Sequence, residues 1–295
     1  MRILFIGGTR FVGLHMAREA VARGHEVTLF HRTEKVLPGL DAASHIYGDR
    51  DTDLSALSTG EWDAVVDVCA YRPAQVDAVA RVVRARSFVL VSTVSVYSDA
   101  VPPHSTESAE LADTAIIEDV NSLTTVVDGT TYGPLKVLCE QAAVRHFADA
   151  LIIRPTYVIG PDDYTDRFTK YVHMIRSGGV VEVPEPREMP WQYIDVRDLA
   201  AFTISAIEQG LTGPFHTAAP SGGITFEQML AAIVETEGSE AADFAWISTA
   251  EAEASDTVFP FWAGTVEIGA LQLDTSKAVA AGLQSRPLAD SIRSV

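Results

Sequence analysis

The chain has 295 residues, 47% of them apolar and 21% charged, which is the balance of an ordinary globular protein with a large core and not of a disordered one. Its formal net charge of −18 argues against nucleic-acid binding, because neutralising phosphates requires a basic face, although a local basic pocket remains compatible with it. Only two cysteines, Cys69 and Cys139, are present. They make no disulfide framework, lack a Cys or His neighbour at metal-ligand spacing, and suit a reducing compartment.

In chain order, RILFIG, EVTLF, DAVVDVC, SFVLVS and ALIIRP are short apolar runs, each bounded by a turn or a helical pattern. Strands of this kind suit a parallel sheet buried on both faces, and their alternation with helices predicts a doubly wound α/β fold. The chain enters its first strand without a preceding basic segment, and no apolar run is long enough to span a bilayer. A cytoplasmic protein with no membrane partner is the expectation. After Pro155 the texture becomes turn-rich, with GPDD, SGG, VPEPREMP and PSGG. The expected division is a dinucleotide-binding domain over 1–155, with WQYIDVRDLAAFTISAI returning to it as strand and helix near 191–210. Residues 156–190 and 211–295 would mainly form a smaller substrate-binding lobe. The stretch from Ala100 to Thr131 has no Lys or Arg and several acids. It is long for a connection, and so either mobile or functional.

Gly7 and Gly8 follow the first strand and Gly13 lies inside the next helix. Glycines so placed allow a tight turn, close approach of a pyrophosphate to the backbone, and close helix–strand packing. The helix N-terminus then offers free N–H groups to phosphates. At the end of the second strand an Asp or Glu ordinarily binds the ribose 2′-hydroxyl of NAD. FHRTEK has Arg32 there, with Glu34 further along, and Arg10 sits on the turn facing the same ribose. Two guanidinium groups suit a 2′-phosphate, so NADP(H) is expected over NAD(H).

In TYGPLKVLCEQAAVRHF, Tyr132 and Lys136 share one helical face a turn apart. Upstream, STVSVYS ends a strand with Ser92, Thr93 and Ser95. Thr93, Tyr132 and Lys136 together can serve a carbonyl–alcohol conversion. Thr93 would hold the oxygen and Tyr132 would exchange its proton, with the neighbouring lysine expected to lower the phenol pKa.

With these motifs the chain resembles the extended short-chain dehydrogenase/reductase superfamily, the group of nucleotide-sugar epimerases and dehydratases, along essentially its whole length. GGTRFVG, GDRD, DVCAY, STVSVYS, YGPLK and IIRPTYVIGPDD carry the likeness. It implies a cofactor site made of Gly7, Thr9, Arg10, Phe11, Val12, Gly13, Arg32, Asp49, Arg50, Val68, Cys69, Ala70, Tyr132, Lys136, Pro155 and Val158, with Asp49 on the adenine and no metal. It implies Thr93, Tyr132 and Lys136 as catalytic residues, Ser92 behind them, and Lys136 also on the nicotinamide ribose. Dimerisation through helices including that of Tyr132 and Lys136 is frequent in such proteins. Arg10 stands where the family usually has glycine, which resembles NADP-using and reductase-like members. Val94 and Ser95 replace the Asp-Glu pair of 4,6-dehydratases. GGTRF is also similar to a branch that includes chloroplast stem-loop RNA-binding proteins.

Three functions follow. The leading one is an NADP(H)-dependent oxidoreductase acting on a small carbonyl or alcohol. The second is a nucleotide-sugar epimerase with a tightly held cofactor, whose substrate pyrophosphate would draw on Arg167, Lys170, Arg176 and Arg187, although a solvated face is the preferred reading of those four. The acidic 100–131 stretch, if it borders the pocket, disfavours a dianionic substrate. The third is a non-catalytic cofactor-sensing or RNA-binding protein. Tyr157, Phe168, Tyr171, Trp191 and Trp262 line a pocket or fill a core, and core is expected for most.

Overall fold

A computed structural model of the chain describes residues 1–32, 34, 37–219, 223–238, 242–262 and 269–295. Most of the PSGG turn therefore lies outside the described residues. The first half alternates strand and helix: β1 (Arg2–Ile6), α1 (Phe11–Ala22), β2 (Glu26–His31), β3 (Ser44–Tyr47), β4 (Glu61–Asp67), α2 (Pro73–Val82), β5 (Arg84–Val91), α3 (Tyr132–His146) and β6 (Leu151–Pro155). The second half holds β7 (Tyr157–Ile159), α4 (Arg167–Ser177), β8 (Gly179–Pro184), β9 (Pro190–Trp191), β10 (Tyr193–Asp195), α5 (Val196–Glu208), β11 (Gly213–Thr217), β12 (Ile224–Thr225), α6 (Phe226–Glu237) and β13 (Ala242–Ile247).

Seven strands form one parallel sheet in the order β11-β6-β5-β4-β1-β2-β3. The alternation of side chains along each strand feeds two cores. Ile3, Phe5, Val27, Leu29, Val66, Val89 and Ile153 pack on one face with residues of α1 and α5. Leu4, Ile6, Phe30, Val65, Phe88, Leu90 and Ile152 pack on the other with residues of α2 and α3. Burial on both faces is why the strand sequences read as continuous apolar runs.

The five predicted sheet strands are β1, β2, β4, β5 and β6. Both sheet edges, β3 and β11, escaped the reading. SHIY is only half-buried, and GPFHT opens on Gly and Pro, so neither shows an apolar run. The segment expected to return near 191–210 does so differently. β10 pairs with β7 outside the main sheet, α5 packs on α1, and the chain rejoins the sheet through β11 at β6. A third core of Phe168, Tyr171, Trp191, Phe226, Met229 and Ile233 fills the lobe beyond β6. No helix among the described residues is long and apolar enough to cross a membrane.

Candidate active site

The glycine turn leaves β1 with both glycines at positive φ, +96° at Gly7 and +84° at Gly8. A Cβ on Gly13 would lie 2.8 Å from Gly8 Cα and 2.9 Å from Val68 Cγ2, so the missing side chain is what lets α1 and the loop after β4 close on the turn. Arg10 is the N-cap of α1, no side chain caps that helix, and its first turn has no acid. The leading N–H groups therefore stay open to an anion, which is the provision a dinucleotide pyrophosphate needs. Thr9, Phe11 and Val12 complete the turn, with Phe11 buried. Val68, Cys69 and Ala70 follow β4 on the same sheet edge, Ala70 fully buried and Cys69 donating to Ile6 O at 3.4 Å.

The arginines diverge. Arg32 is well exposed, with Asp49 at 3.9 Å as a loose partner. Arg10 lies over the Tyr164 ring at 5.3 Å. Arg50, also expected at the cofactor, faces inward. Its side chain is buried and forks onto Asp67, Nη1 to Oδ1 at 2.7 Å and Nη2 to Oδ2 at 2.8 Å, with Nη1 also 3.2 Å from Cys69 Sγ. A buried carboxylate needs such a partner, and this use of Arg50 leaves Arg10 and Arg32 as the solvent-facing pair.

The catalytic candidates converge where β5 ends. Thr93 caps the 3-10 turn Val94–Val96, accepting from Ser95 N at 3.1 Å. The Tyr132 phenol lies near the Thr93 hydroxyl, whose own hydrogen goes to Ser95 Oγ at 3.2 Å. Gly133 makes this contact possible, because a Cβ there would lie 2.2 Å from Ser95 O. Lys136, one turn along α3, is buried and donates to Ala70 O at 2.8 Å and Val91 O at 2.7 Å. Two of its three N–H bonds are thus used, and the lysine ties α3 to the ends of β4 and β5. Burial pulls its pKa below the usual lysine value. The phenol does not behave as expected. Burial pushes Tyr132 above its ordinary pKa, opposed chiefly by the nearby Thr93 hydroxyl and the positive charge of Arg167. The ammonium is spent on carbonyls, and a guanidinium from the other lobe acts on the phenol.

Behind Thr93 runs a buried polar chain. Ser92 donates to Glu140 at 2.5 Å, and Arg154 grips the same carboxylate at 3.0 and 2.5 Å. Arg154 Nη1 donates to the Tyr97 oxygen at 2.6 Å, Tyr97 donates to His216 Nε2, and His216 Nδ1 faces Asp274 O at 2.7 Å. With a carbonyl opposite Nδ1, the ring hydrogen sits on Nδ1 and Nε2 accepts. Each buried group then has a partner of the right sense. Glu107, inside the acidic 100–131 stretch, accepts from His216 N at 3.0 Å, and Arg72 Nε holds Thr125 O at 2.9 Å. The stretch is anchored to both the sheet and the loop before α2.

Pro155 ends β6 beside this constellation, with buried Val158 two strand positions beyond Thr156 on β7. Phe168, Tyr171 and Trp191 are core, as expected, while Tyr157 and Trp262 are half-buried. Tyr71, its ring 6.3 Å from that of Tyr132, is a neighbour that the sequence reading did not single out. Glycine-rich turns and Y-x-x-x-K spacings are visible in one dimension. Tyr71, Gly133 and Arg167 have no such signature, apart from the small residue directly after the tyrosine.

No protein-family profile matches the chain. It is 29% identical over 225 residues to the chloroplast stem-loop binding protein of 41 kDa b of Arabidopsis thaliana, covering 70% of this chain and 55% of that protein. The match thus spans about half the length of that relative. Solved structures share its fold over nearly all of both chains. The UDP-glucuronic acid 4-epimerase of Bacillus cereus in complex with NAD is 16% identical with a TM-score of 0.71, covering 100% of this chain and 94% of its own. The Bordetella bronchiseptica enzyme WbmG, in complex with NAD and UDP, is 17% identical with a TM-score of 0.72, over 100% and 93%. A human epimerase family protein with NADPH is 20% identical with a TM-score of 0.68, over 99% and 98%.

Proposed function

We propose that the chain, which shares the fold of the solved epimerases, is an extended short-chain dehydrogenase/reductase and an NADP(H)-dependent oxidoreductase interconverting a carbonyl and an alcohol on a small molecule. The cofactor would lie along the sheet edge from the glycine turn to Lys136, and the lobe beyond β6 would shape the substrate site. The observation that carries the cofactor choice is the pair of solvent-facing guanidiniums, Arg10 and Arg32, where an NAD protein would present an acid. When bound, the nicotinamide supplies or accepts the hydride. Thr93 would hold the substrate oxygen beside the nearby Tyr132 phenol. A phenol kept protonated by burial is suited to giving its proton to a carbonyl oxygen in reduction. Lys136, pinned by two carbonyls, keeps one N–H for the nicotinamide ribose.

A second reading, a nucleotide-sugar epimerase with the same three residues, is supported by the likeness to the Bacillus cereus 4-epimerase and fits the fold equally well. The name of the Arabidopsis relative raises a third, stem-loop binding, against which the charge of −18 speaks. Titration of reduced-nicotinamide fluorescence separates them. A preference for NADPH over NADH of about tenfold or more, about 1.4 kcal/mol, that shrinks in Arg10→Gly and Arg32→Asp is the expected result. Equal affinity or a preference for NADH would move the epimerase ahead. Binding of neither would leave the non-catalytic reading.

A further inference from the structure

Arg167 is the one basic residue of the four considered in the lobe whose charge has no fixed use. Arg176 is held by Glu237 at 2.6 and 3.0 Å. Arg187 pairs with Glu227 at 3.2 Å and lies over the Trp246 ring at 4.6 Å. Lys170 donates to Val258 O at 3.0 Å. Arg167, half-buried at the start of α4, donates only through Nε, to Thr165 Oγ1 at 3.1 Å. Among the described residues it has no carboxylate partner, and its two terminal nitrogens have no acceptor.

Its position is fixed by aromatic packing. The guanidinium lies over the Phe261 ring at 5.6 Å, and the Tyr157 ring packs on Phe261 at 4.7 Å. Tyr157 begins β7 directly after β6, and β6 pairs with β5 so that Ile153 stands opposite Val91. Two residues further along these strands come Pro155 and Thr93. The guanidinium therefore belongs to the same sheet edge as the Thr93–Tyr132 pair, and its charge reaches both the Tyr132 and Tyr157 phenols, opposing the rise that burial gives each.

We propose that Arg167 is the substrate's anion-binding residue and that the substrate is a carbonyl or alcohol compound bearing a single carboxylate. This rests on the oxidoreductase reading of the site. A planar fork of free N–H donors, braced against an aromatic face, matches a carboxylate bidentately. One such group is provided for, and a second is not, because the other three cations are engaged. The acids of the 100–131 stretch, anchored beside the site by Arg72 and His216, oppose a further negative charge. A nucleoside diphosphate is therefore a poor fit and a monoanion a good one.

The test is calorimetric titration of the full chain, with and without NADP, using benzoate, phenyl phosphate and benzyl alcohol as probes. Benzoate should bind, lose about tenfold or more in affinity in Arg167→Leu, and recover in part in Arg167→Lys, while benzyl alcohol and NADPH affinities stay unchanged across the variants. Equal benzoate affinity in the wild type and Arg167→Leu, or no benzoate binding at all, overturns the proposal. Phenyl phosphate binding tighter than benzoate overturns the choice of carboxylate. Absent NADPH binding with an Arg167-dependent benzoate signal retained would sink the oxidoreductase reading while supporting the anion site.

Discussion

Arg50 meets Asp67 with both terminal nitrogens, at 2.7 and 2.8 Å, next to the strand end from which the glycine turn springs. The pair is buried, and its worth is felt when one partner is removed. Arg50→Met would leave the Asp67 carboxylate uncompensated, and a loss of about 3–5 kcal/mol in urea unfolding is expected. Arg50→Lys cannot fork and should fall between the two. If Arg50→Met unfolds like the wild type but binds NADPH poorly, the residue is a cofactor ligand after all.

Gly133→Ala should separate chemistry from binding. The added Cβ meets Ser95 O at 2.2 Å, so α3 must withdraw from the turn that carries Thr93. Misplacement by about an ångström costs on the order of a hundredfold in turnover. NADPH affinity, set mainly at the other end of the site, should change by no more than a few fold. An unchanged kcat would mean that Thr93 and Tyr132 do not act as a unit.

Tyr132→Phe should lower kcat by about a hundred- to ten-thousand-fold, the usual yield of a positioned proton donor, with cofactor binding intact. The wild-type pH profile carries a second expectation. In carbonyl reduction the phenol must be protonated, so rate falls as pH rises through its pKa, which lies above the ordinary tyrosine value. Arg167→Leu removes a charge that favours the phenolate, and should move that falling limb further up the scale. A limb that moves down, or stays put, would contradict the coupling of these two side chains.

His216 makes stability depend on mild acid. Burial holds its pKa below the ordinary histidine value, although Glu107 and Asp274 O oppose that shift and Arg154 adds to it. A base with a depressed folded pKa contributes stability above its unfolded pKa and loses it as pH falls toward the folded value. Protonation would also set a second donor against the Tyr97 hydroxyl. Urea midpoints should therefore decline as pH falls below about 6.5. The slope should shrink in His216→Gln, leaving a smaller share from His15, whose pKa burial also lowers. A pH-independent midpoint over that range would show that His216 is not buried as a neutral ring.

Local chemistry made much of this architecture legible. Apolar runs marked the five inner strands because both faces are covered, and Gly7, Gly8 and Gly13 announced the turn because positive φ and close packing admit little else. The edge strands were silent, since SHIY is only half-buried and GPFHT opens on Gly and Pro, so neither carries an apolar run. Arg50 and Lys136 each have protein partners that the sequence did not announce. A charged residue in a motif reads as pointing to a ligand, yet burial turned one toward Asp67 and the other toward two carbonyls. Arg167 acts on Tyr132 from another lobe, a relationship that no spacing encodes.

β11 joins the sheet only after the chain has travelled through α4 and α5, and among the described residues it alone covers the outer edge of β6. A fragment ending near Pro155 would leave that edge unpaired and the apolar side of α1 without α5. Such an edge recruits other chains, so the N-terminal half should precipitate when expressed by itself and become soluble only when residues through Thr217 follow. On the ribosome, the sheet cannot be sealed until most of the polypeptide has emerged.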